Sequence, residues 1–165
     1  ISLYNGSMIR NANRNDIERC AYIESLCFPQ AEAATFQSFE NRINSYPETF
    51  WVLEKDGIII CFINGMYSNE KDLKDEMYEN NALYDRNGCW LMIFGVDTHP
   101  DYQHKGYATS LMKYVQSHTS ETCKGIVLTC KESMISFYAQ FGFVYEGVSP
   151  SVHGNVIWYQ MRYEK

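Results

Sequence analysis

Residues 89–96 are apolar without a break, a run too short to span a membrane and too continuous for a strand with one wet face. It reads as a strand buried on both faces, closed by Pro100. Beyond a short polar turn the period changes, and Ala108, Leu111, Met112 and Val115 recur at helical spacing with Ser110, Lys113 and Gln116 off that face. Upstream, residues 8–12 form a strand candidate. Asn15 or Asp16 then caps a helix in which Ile17, Cys20 or Ala21, Glu24 and Cys27 or Phe28 keep the period until Pro29. A second helix starts at Thr35 or Ser38 and runs to Ser45, with Phe36, Phe39, Ile43 and Tyr46 inward. Residues 50–54 and 58–66 are strands joined by Asp56-Gly57, a strong hairpin signal.

The charged stretch 69–81 carries Leu73 and Met77 four apart and predicts a short surface helix. Residues 126–130 are a short buried strand. Residues 132–141 are a helix with Met134, Phe137, Tyr138 and Phe141 along one side and Gly142 as its C-cap. Two last strands follow at 143–146 and 156–162. The order β-α-α-β-β-(α)-β-α-β-α-β-β implies an α/β (α+β) protein built on a mixed sheet with hairpins and crossovers. One domain over 8–165 is expected, with Met8 as the native start and residues 1–7 as an added or disordered extension.

Composition narrows the function. The 165 residues are 45% apolar and 15% aromatic, which suits one folded globule with a sizeable core. A net charge of −6 argues against nucleic acid, whose phosphates need a basic face. No apolar run approaches the length of a membrane helix and no signal peptide opens the chain, so no membrane partner is expected. The cysteines Cys20, Cys27, Cys61, Cys89, Cys123 and Cys130 are widely spaced, mostly in apolar runs and without a C-x-x-C pair. They read as small hydrophobes in a reduced, cytoplasmic protein, with neither disulfides nor a metal site.

The turn Gln103-His104-Lys105-Gly106-Tyr107-Ala108 leads from the buried strand straight into a helix start. A helix N-terminus offers backbone N–H groups without internal partners and partial positive charge, so it suits a phosphate. Gly106 lets a ligand come close and Ala108 keeps its side chain out of the way. Neither G-x-G-x-x-G nor G-x-x-x-x-G-K-[ST] occurs. The pattern is Q-x-x-G-x-A, which resembles the Q/R-x-x-G-x-G/A loop with which the GNAT superfamily of N-acetyltransferases grips the pyrophosphate of acetyl-coenzyme A. Ile9-Arg10-x-Ala12 followed by Asp16 resembles the opening of that superfamily, and Phe137-Tyr138-x-x-Phe141-Gly142-Phe143 resembles its closing signature.

This resemblance implies the GNAT fold: a mixed central sheet of six to seven strands flanked by about four helices and splayed at the central strands. It implies acetyl-coenzyme A as co-substrate. The coenzyme contacts it carries over are Phe94, Val96 and Thr98 on the strand and Gln103, His104, Lys105, Gly106, Tyr107, Ala108 and Thr109 at the loop. Tyr138 matches the tyrosine that serves as acid to the leaving thiolate. Gly95, inside the buried strand, suggests a bulge where backbone is freed from the ladder.

Within the superfamily the arylalkylamine (serotonin) N-acetyltransferases are the nearest likeness. It rests on Tyr46-Pro47-Glu48, the acidic insertion after Met66, Val127-Leu128-x-Cys130 and His153-Gly154-Asn155-Val156-x-Trp158. That branch implies an amine pocket walled by Phe28, Phe36 and Trp158, whose aromatic faces suit a cation or an aromatic amine. It also implies two histidines on the central strand, but Met92 and Phe94 stand there and neither can accept a proton. His153 is the first candidate for the base, followed by Glu24 and Glu32. The expected function is direct transfer of an acetyl group to a small primary amine, by a monomer or homodimer. The alternatives are a protein N-terminal or lysine acetyltransferase and a non-catalytic acyl-coenzyme A sensor, kept open by the missing histidines.

Overall fold

The computed structural model describes residues 6–165. Seven strands and four α-helices alternate in the order β1 (Ser7–Asn11), α1 (Ile17–Cys27), α2 (Phe36–Ser45), β2 (Phe50–Lys55), β3 (Ile58–Ser68), β4 (Trp90–Thr98), α3 (Tyr107–Ser117), β5 (Gly125–Cys130), α4 (Ile135–Ala139), β6 (Val144–Val148) and β7 (Tyr159–Glu164). The sheet order is β1-β2-β3-β4-β5-β7-β6, a mixed seven-stranded sheet. Residues 1–5, most of the proposed N-terminal extension, lie outside the described residues. Ser7 opens β1 opposite Lys55, one residue before the expected start of the domain.

The chain forms two compact units, one of Ile1–Asn64 and Gly95–Val115, the other of Gly65–Phe94 and Gln116–Lys165. In the first unit β1, β2 and β3 form an antiparallel meander. The Asp56-Gly57 hairpin takes positive φ at both residues, 52° and 82°, as a tight turn between twisted strands requires. Asn13 and Asp16 build a capping box on a single 3-10 turn that runs into α1. Arg10 then holds Asp16 at 2.7 Å and Glu54 at 3.2 Å, tying β1 to the helix entry and to β2. Phe28 ends α1 in extended backbone because Pro29 follows. The core beneath α1 and α2 gathers Ile17, Cys20, Ile23, Phe39, Ile43, Phe50 and Phe62. Phe39, Phe50 and Phe62 pack ring to ring at 5.5–5.7 Å.

In the second unit β4 pairs in parallel with β5 from Trp90–Gly125 to Ile93–Leu128, and the pairing ends there although β5 continues to Cys130. β7 lies antiparallel between β5 and β6. The acidic stretch departs from the expected surface helix and forms two 3-10 turns, Asp75–Tyr78 and Asn81–Leu83. Its carboxylates are structural ties. Asp72 takes Arg162 at 2.8 Å, and Asp75 accepts from Ser151 Oγ and from Val152 N at 3.0 Å, while Leu73 and Met77 are buried beneath. These long-range partners hold the segment in short turns against any helical preference of its own. Among the described residues no helix is long and apolar enough to cross a membrane.

Candidate active site

The polar turn after β4 is built by local hydrogen bonds. His99 caps a 3-10 turn, Pro100–Tyr102, by accepting from Asp101 N at its Nδ1. Gln103 folds back to give its side-chain amide to Thr98 O at 3.2 Å. Left-handed backbone at His104 (φ 61°) and Gly106 (φ 87°) then swings the chain into α3, whose Ser110 N reaches back to Gly106 O at 3.0 Å. For the N–H groups from His104 to Thr109 no partner is found among the described residues. These donors sit at the start of an eleven-residue helix, where the dipole adds positive charge. A Cβ on Gly106 would meet nothing within 4 Å, so the face above the turn is open.

Two cations frame this turn. Lys105 lies over the Tyr102 ring at 5.7 Å. Lys55, at the end of β2, reaches Tyr107 Oη at 2.9 Å and lies 5.6 Å from its ring centre. Its pKa is raised first by that hydrogen bond, so it stays an ammonium at every working pH. Lys55 is missed by sequence reasoning because nothing in its local pattern tells a hairpin lysine from a solvated one. The donor set suits a diphosphate, so Gln103, His104, Lys105, Gly106, Tyr107, Ala108 and Thr109 together fit the phosphate end of a coenzyme.

Val96 and Thr98 lie on one face of β4, and Gly95 and Asp97 on the other. Thr98 is held by two thiols, accepting from Cys27 Sγ at its carbonyl (3.2 Å) and giving its hydroxyl to Cys61 Sγ (3.4 Å). Burial pushes the Cys27 thiol up to about 11 and the Cys61 thiol up to about 12, so neither is a nucleophile at neutral pH. Phe28 closes α1, and Phe36 opens α2 with half its surface exposed. Glu24 is buried in α1 and its Oε2 accepts from Ala34 N at 2.8 Å, pinning the loop between the two helices.

In the second unit Phe94, Tyr78, His153 and Trp158 form a ladder of rings. Phe94 lies 4.8 Å from Tyr78, Tyr78 stacks on His153 at 5.3 Å and 6°, and His153 lies 6.1 Å from Trp158. Trp158 donates from Nε1 to His153 O at 2.8 Å, and Lys131 caps its ring at 5.9 Å. Tyr78 belongs to the acidic segment and is the rung that the sequence reading did not single out. Tyr138 is buried in α4 against Phe137 and Phe143. This helix is one turn and a half, shorter than expected, preceded by a 3-10 turn and closed by Gly142 at φ 91°. Met92 is fully buried, so the position where the arylalkylamine branch has a histidine is part of the core. Among the described residues no cluster of histidine, cysteine or carboxylate side chains could hold a metal.

Comparison with known proteins agrees with this geometry. The model of the acetyltransferase (GNAT) domain matches residues 47–145. No match was found among the curated proteins. Among solved structures, the loading GNATL domain of CurA from Lyngbya majuscula is similar at 15% identity, with 96% of this chain and 97% of that one covered and a TM-score of 0.84. The GphF GNAT-like decarboxylase in complex with isobutyryl-CoA is similar at 16% identity over 95% and 98% of the two chains, with a TM-score of 0.82. NAA60 of Arabidopsis thaliana in complex with acetyl-CoA is similar at 19% identity over 96% and 98%, with a TM-score of 0.71. At these identities the likeness establishes the fold.

Proposed function

Since this chain belongs to the GNAT acetyltransferase family, we propose that it moves the acetyl group of acetyl-coenzyme A to a small primary amine, an arylalkylamine first among them. It is an acyl-coenzyme A-dependent N-acetyltransferase, and acetyl-coenzyme A supplies the activated acetyl group as a thioester. The observation that carries the reading is the open row of N–H groups from His104 to Thr109 at the start of α3. They hold the diphosphate, with Lys55 and Lys105 adding charge and Gln103 fixing the turn by its bond to Thr98 O. The β4 segment Phe94, Val96 and Thr98 takes the pantetheine arm, and a backbone donor there polarises the thioester carbonyl.

Tyr138 is the acid that gives a proton to the leaving sulfur. A tyrosine hydroxyl keeps its proton at neutral pH and can deliver it as negative charge develops. The acceptor reading rests on the aromatic ladder. Flat rings at Phe94, Tyr78, His153 and Trp158 offer faces to an aromatic amine or its ammonium. Phe28, which ends α1, and Phe36, which opens α2, are aromatic amine contacts proposed within the first unit. His153 hydrogen-bonds through its backbone to Ser151 Oγ and is stacked on Tyr78, which holds the imidazole at a fixed angle. That arrangement makes it a ring of the amine wall, and its imidazole is the first candidate for the base that takes the amine's proton.

Peptide acceptors are the second reading, because NAA60 and the Naa50 of Arabidopsis thaliana in complex with a peptidyl bisubstrate analogue share the fold. Free-thiol release from acetyl-coenzyme A against β-phenylethylamine, spermidine and a short peptide separates the two. Release with the arylalkylamine supports the reading. Release with peptide alone replaces it with protein modification, and no release with retained coenzyme binding replaces it with a sensor.

A further inference from the structure

Beside the turn after β4 runs a row of rings with no part yet in acetyl transfer. Neighbouring carbonyls of β3 anchor it. Arg19 of α1 gives Nε to Ile59 O at 3.0 Å, and His99, just past β4, gives its N–H to Ile60 O at 2.8 Å. These bonds bring α1 and the turn together at the start of β3, and every residue of the row belongs to the first unit. Arg19 lies over the Tyr22 ring at 5.5 Å, and Tyr22 stands 6.2 Å from His99. His99 meets Tyr102 nearly edge-on, at 5.8 Å and 78°. Tyr102 meets Tyr107, the first residue of α3, at 6.3 Å and 67°. Lys105 lies over Tyr102, and Lys55 closes the row at the Tyr107 hydroxyl.

The row is not core. Tyr22 is 49% exposed, and Tyr102 and Tyr107 are half-buried. The chain carries a net charge of −6, yet the cations Arg19, Lys105 and Lys55 gather on these rings. Asp101 stands 4.0 Å from His99 Nδ1, but its side chain is 84% exposed and water screens it. The rings are held in place beforehand. His99 Nδ1 accepts from Asp101 N at 3.1 Å, and Tyr102 N donates to His99 O at 2.8 Å whatever side chain stands at 102. Fixed flat rings among cations suit a ligand that joins an aromatic base to phosphate. Tyr102 also stands two residues before His104, where the open row of N–H groups begins.

We propose that this row holds the adenosine 3′-phosphate end of the donor, with the purine stacked at Tyr102 and the 3′-phosphate on Lys105, so that the protein selects free coenzyme A thioesters. The proposal rests on the acetyl-transfer reading. The coenzyme's diphosphate joins the pantetheine arm on one side to an adenosine with a 3′-phosphate on the other. With the diphosphate on the N–H row, the nucleoside needs a surface that is flat and cationic, and the rings beside the turn supply one. The contact of a surface ammonium with a ring is weaker than its charge-assisted bond to a phosphate, so Lys105 exchanges the Tyr102 ring for the ligand. Arg19 and Lys55 add positive charge at the two ends of the row. An acyl group tethered to a carrier protein through phosphopantetheine brings neither base nor 3′-phosphate. Such a donor leaves Tyr102 uncovered and Lys105 unpaired by ligand, and is bound more weakly.

The test is calorimetric titration of wild type, Tyr102→Leu and Lys105→Gln with acetyl-coenzyme A, its 3′-dephospho form, S-acetyl-4′-phosphopantetheine and adenosine 3′,5′-bisphosphate. Wild type is expected to bind the bisphosphate by itself and to lose roughly 10-fold in affinity when the coenzyme lacks its 3′-phosphate. Tyr102→Leu is expected to weaken acetyl-coenzyme A and the bisphosphate by about 10-fold each, the worth of a base stacked on an aromatic ring. Its affinity for S-acetyl-4′-phosphopantetheine should stay that of wild type. Lys105→Gln should erase most of the difference between the phospho and dephospho coenzymes. Rings that only pack the turn would shift the affinity for every probe alike. Equal wild-type affinity for acetyl-coenzyme A and S-acetyl-4′-phosphopantetheine, or undiminished coenzyme affinity in Tyr102→Leu, overturns the proposal and leaves the acetyl-transfer reading standing. Full discrimination in Lys105→Gln overturns it as well, and decides the matter if Tyr102→Leu does not fold. Wild-type protein that binds no form of the coenzyme overturns the acetyl-transfer reading and this proposal with it.

Discussion

Replacing Asp97 with asparagine should change the pH dependence of folding stability, whatever the acceptor turns out to be. Asp97 is buried and its folded-state pKa lies above the ordinary value of 3.8. Between those two values the folded protein keeps a proton that the unfolded chain has released. Stability therefore falls as pH rises through this window, is unaffected below about 3.8, and levels off above the folded pKa. The slope is at most about 1.4 kcal/mol per pH unit and belongs to the Glu24–Asp97 pair as a unit. Asparagine neither binds nor releases that proton, so the variant gains on the wild type steadily with pH, on top of a constant offset for the altered hydrogen bond. Glu146 contributes in the opposite sense. Burial would raise it, but Arg162 and Gln160 hydrogen bonds outweigh burial and hold it below its usual range, and this slope is common to both proteins and cancels. Urea unfolding of both proteins at about one-unit steps between pH 4 and pH 8 measures the difference. A stability difference that stays constant across the range would refute the raised Asp97 titration.

Three further outcomes test the coenzyme end. Gly106→Trp imposes a side chain on backbone at φ 87° and covers the open face of the turn, so acetyl-coenzyme A binding in calorimetry should fall below detection; wild-type affinity would sink the loop assignment. Tyr138→Phe should cut turnover by roughly 100-fold while coenzyme affinity holds, and an unchanged rate at every pH would remove the hydroxyl from the mechanism. Lys55→Met should weaken coenzyme binding by roughly a few-fold and flatten its dependence on ionic strength, since an exposed charge acts through a screened field; an identical salt dependence would show that Lys55 only packs on Tyr107.

Most of the architecture was legible because the local signals agree with one another. The Asp56-Gly57 turn, Pro29 after α1 and Gly142 after α4 act through backbone conformation that depends on no distant partner. The segment 69–81 misled because its carboxylates serve residues far along the chain. Asp72 answers Arg162 and Asp75 answers Ser151 and Val152, so a pattern that looks like a charged helix folds as two 3-10 turns. The short α4 has the same cause in reverse, since its aromatic stripe is satisfied by contacts among Phe137, Tyr138, Phe141 and Phe143 without a full-length helix.

The sequence by itself determined the buried strand 89–96, the glycine turn and the helix after it, because strand period, helix period and the need for a positive φ at Gly106 are all local. With them came the expectation of a coenzyme-binding acetyltransferase, and the match to the family supports it. Tertiary structure alone decided which polar groups share a low-dielectric space. Glu24 and Asp97 are 73 positions apart, and neither residue by itself differs from an ordinary surface carboxylate. Folding removes both from water, and burial first, then the Glu24 carboxyl beside it, holds Asp97 well above the usual carboxylate range. Lys55 and Tyr107, and the ring ladder from Phe94 to Trp158, are likewise products of the fold, since pKa and stacking depend on distances that no spacing along the chain encodes.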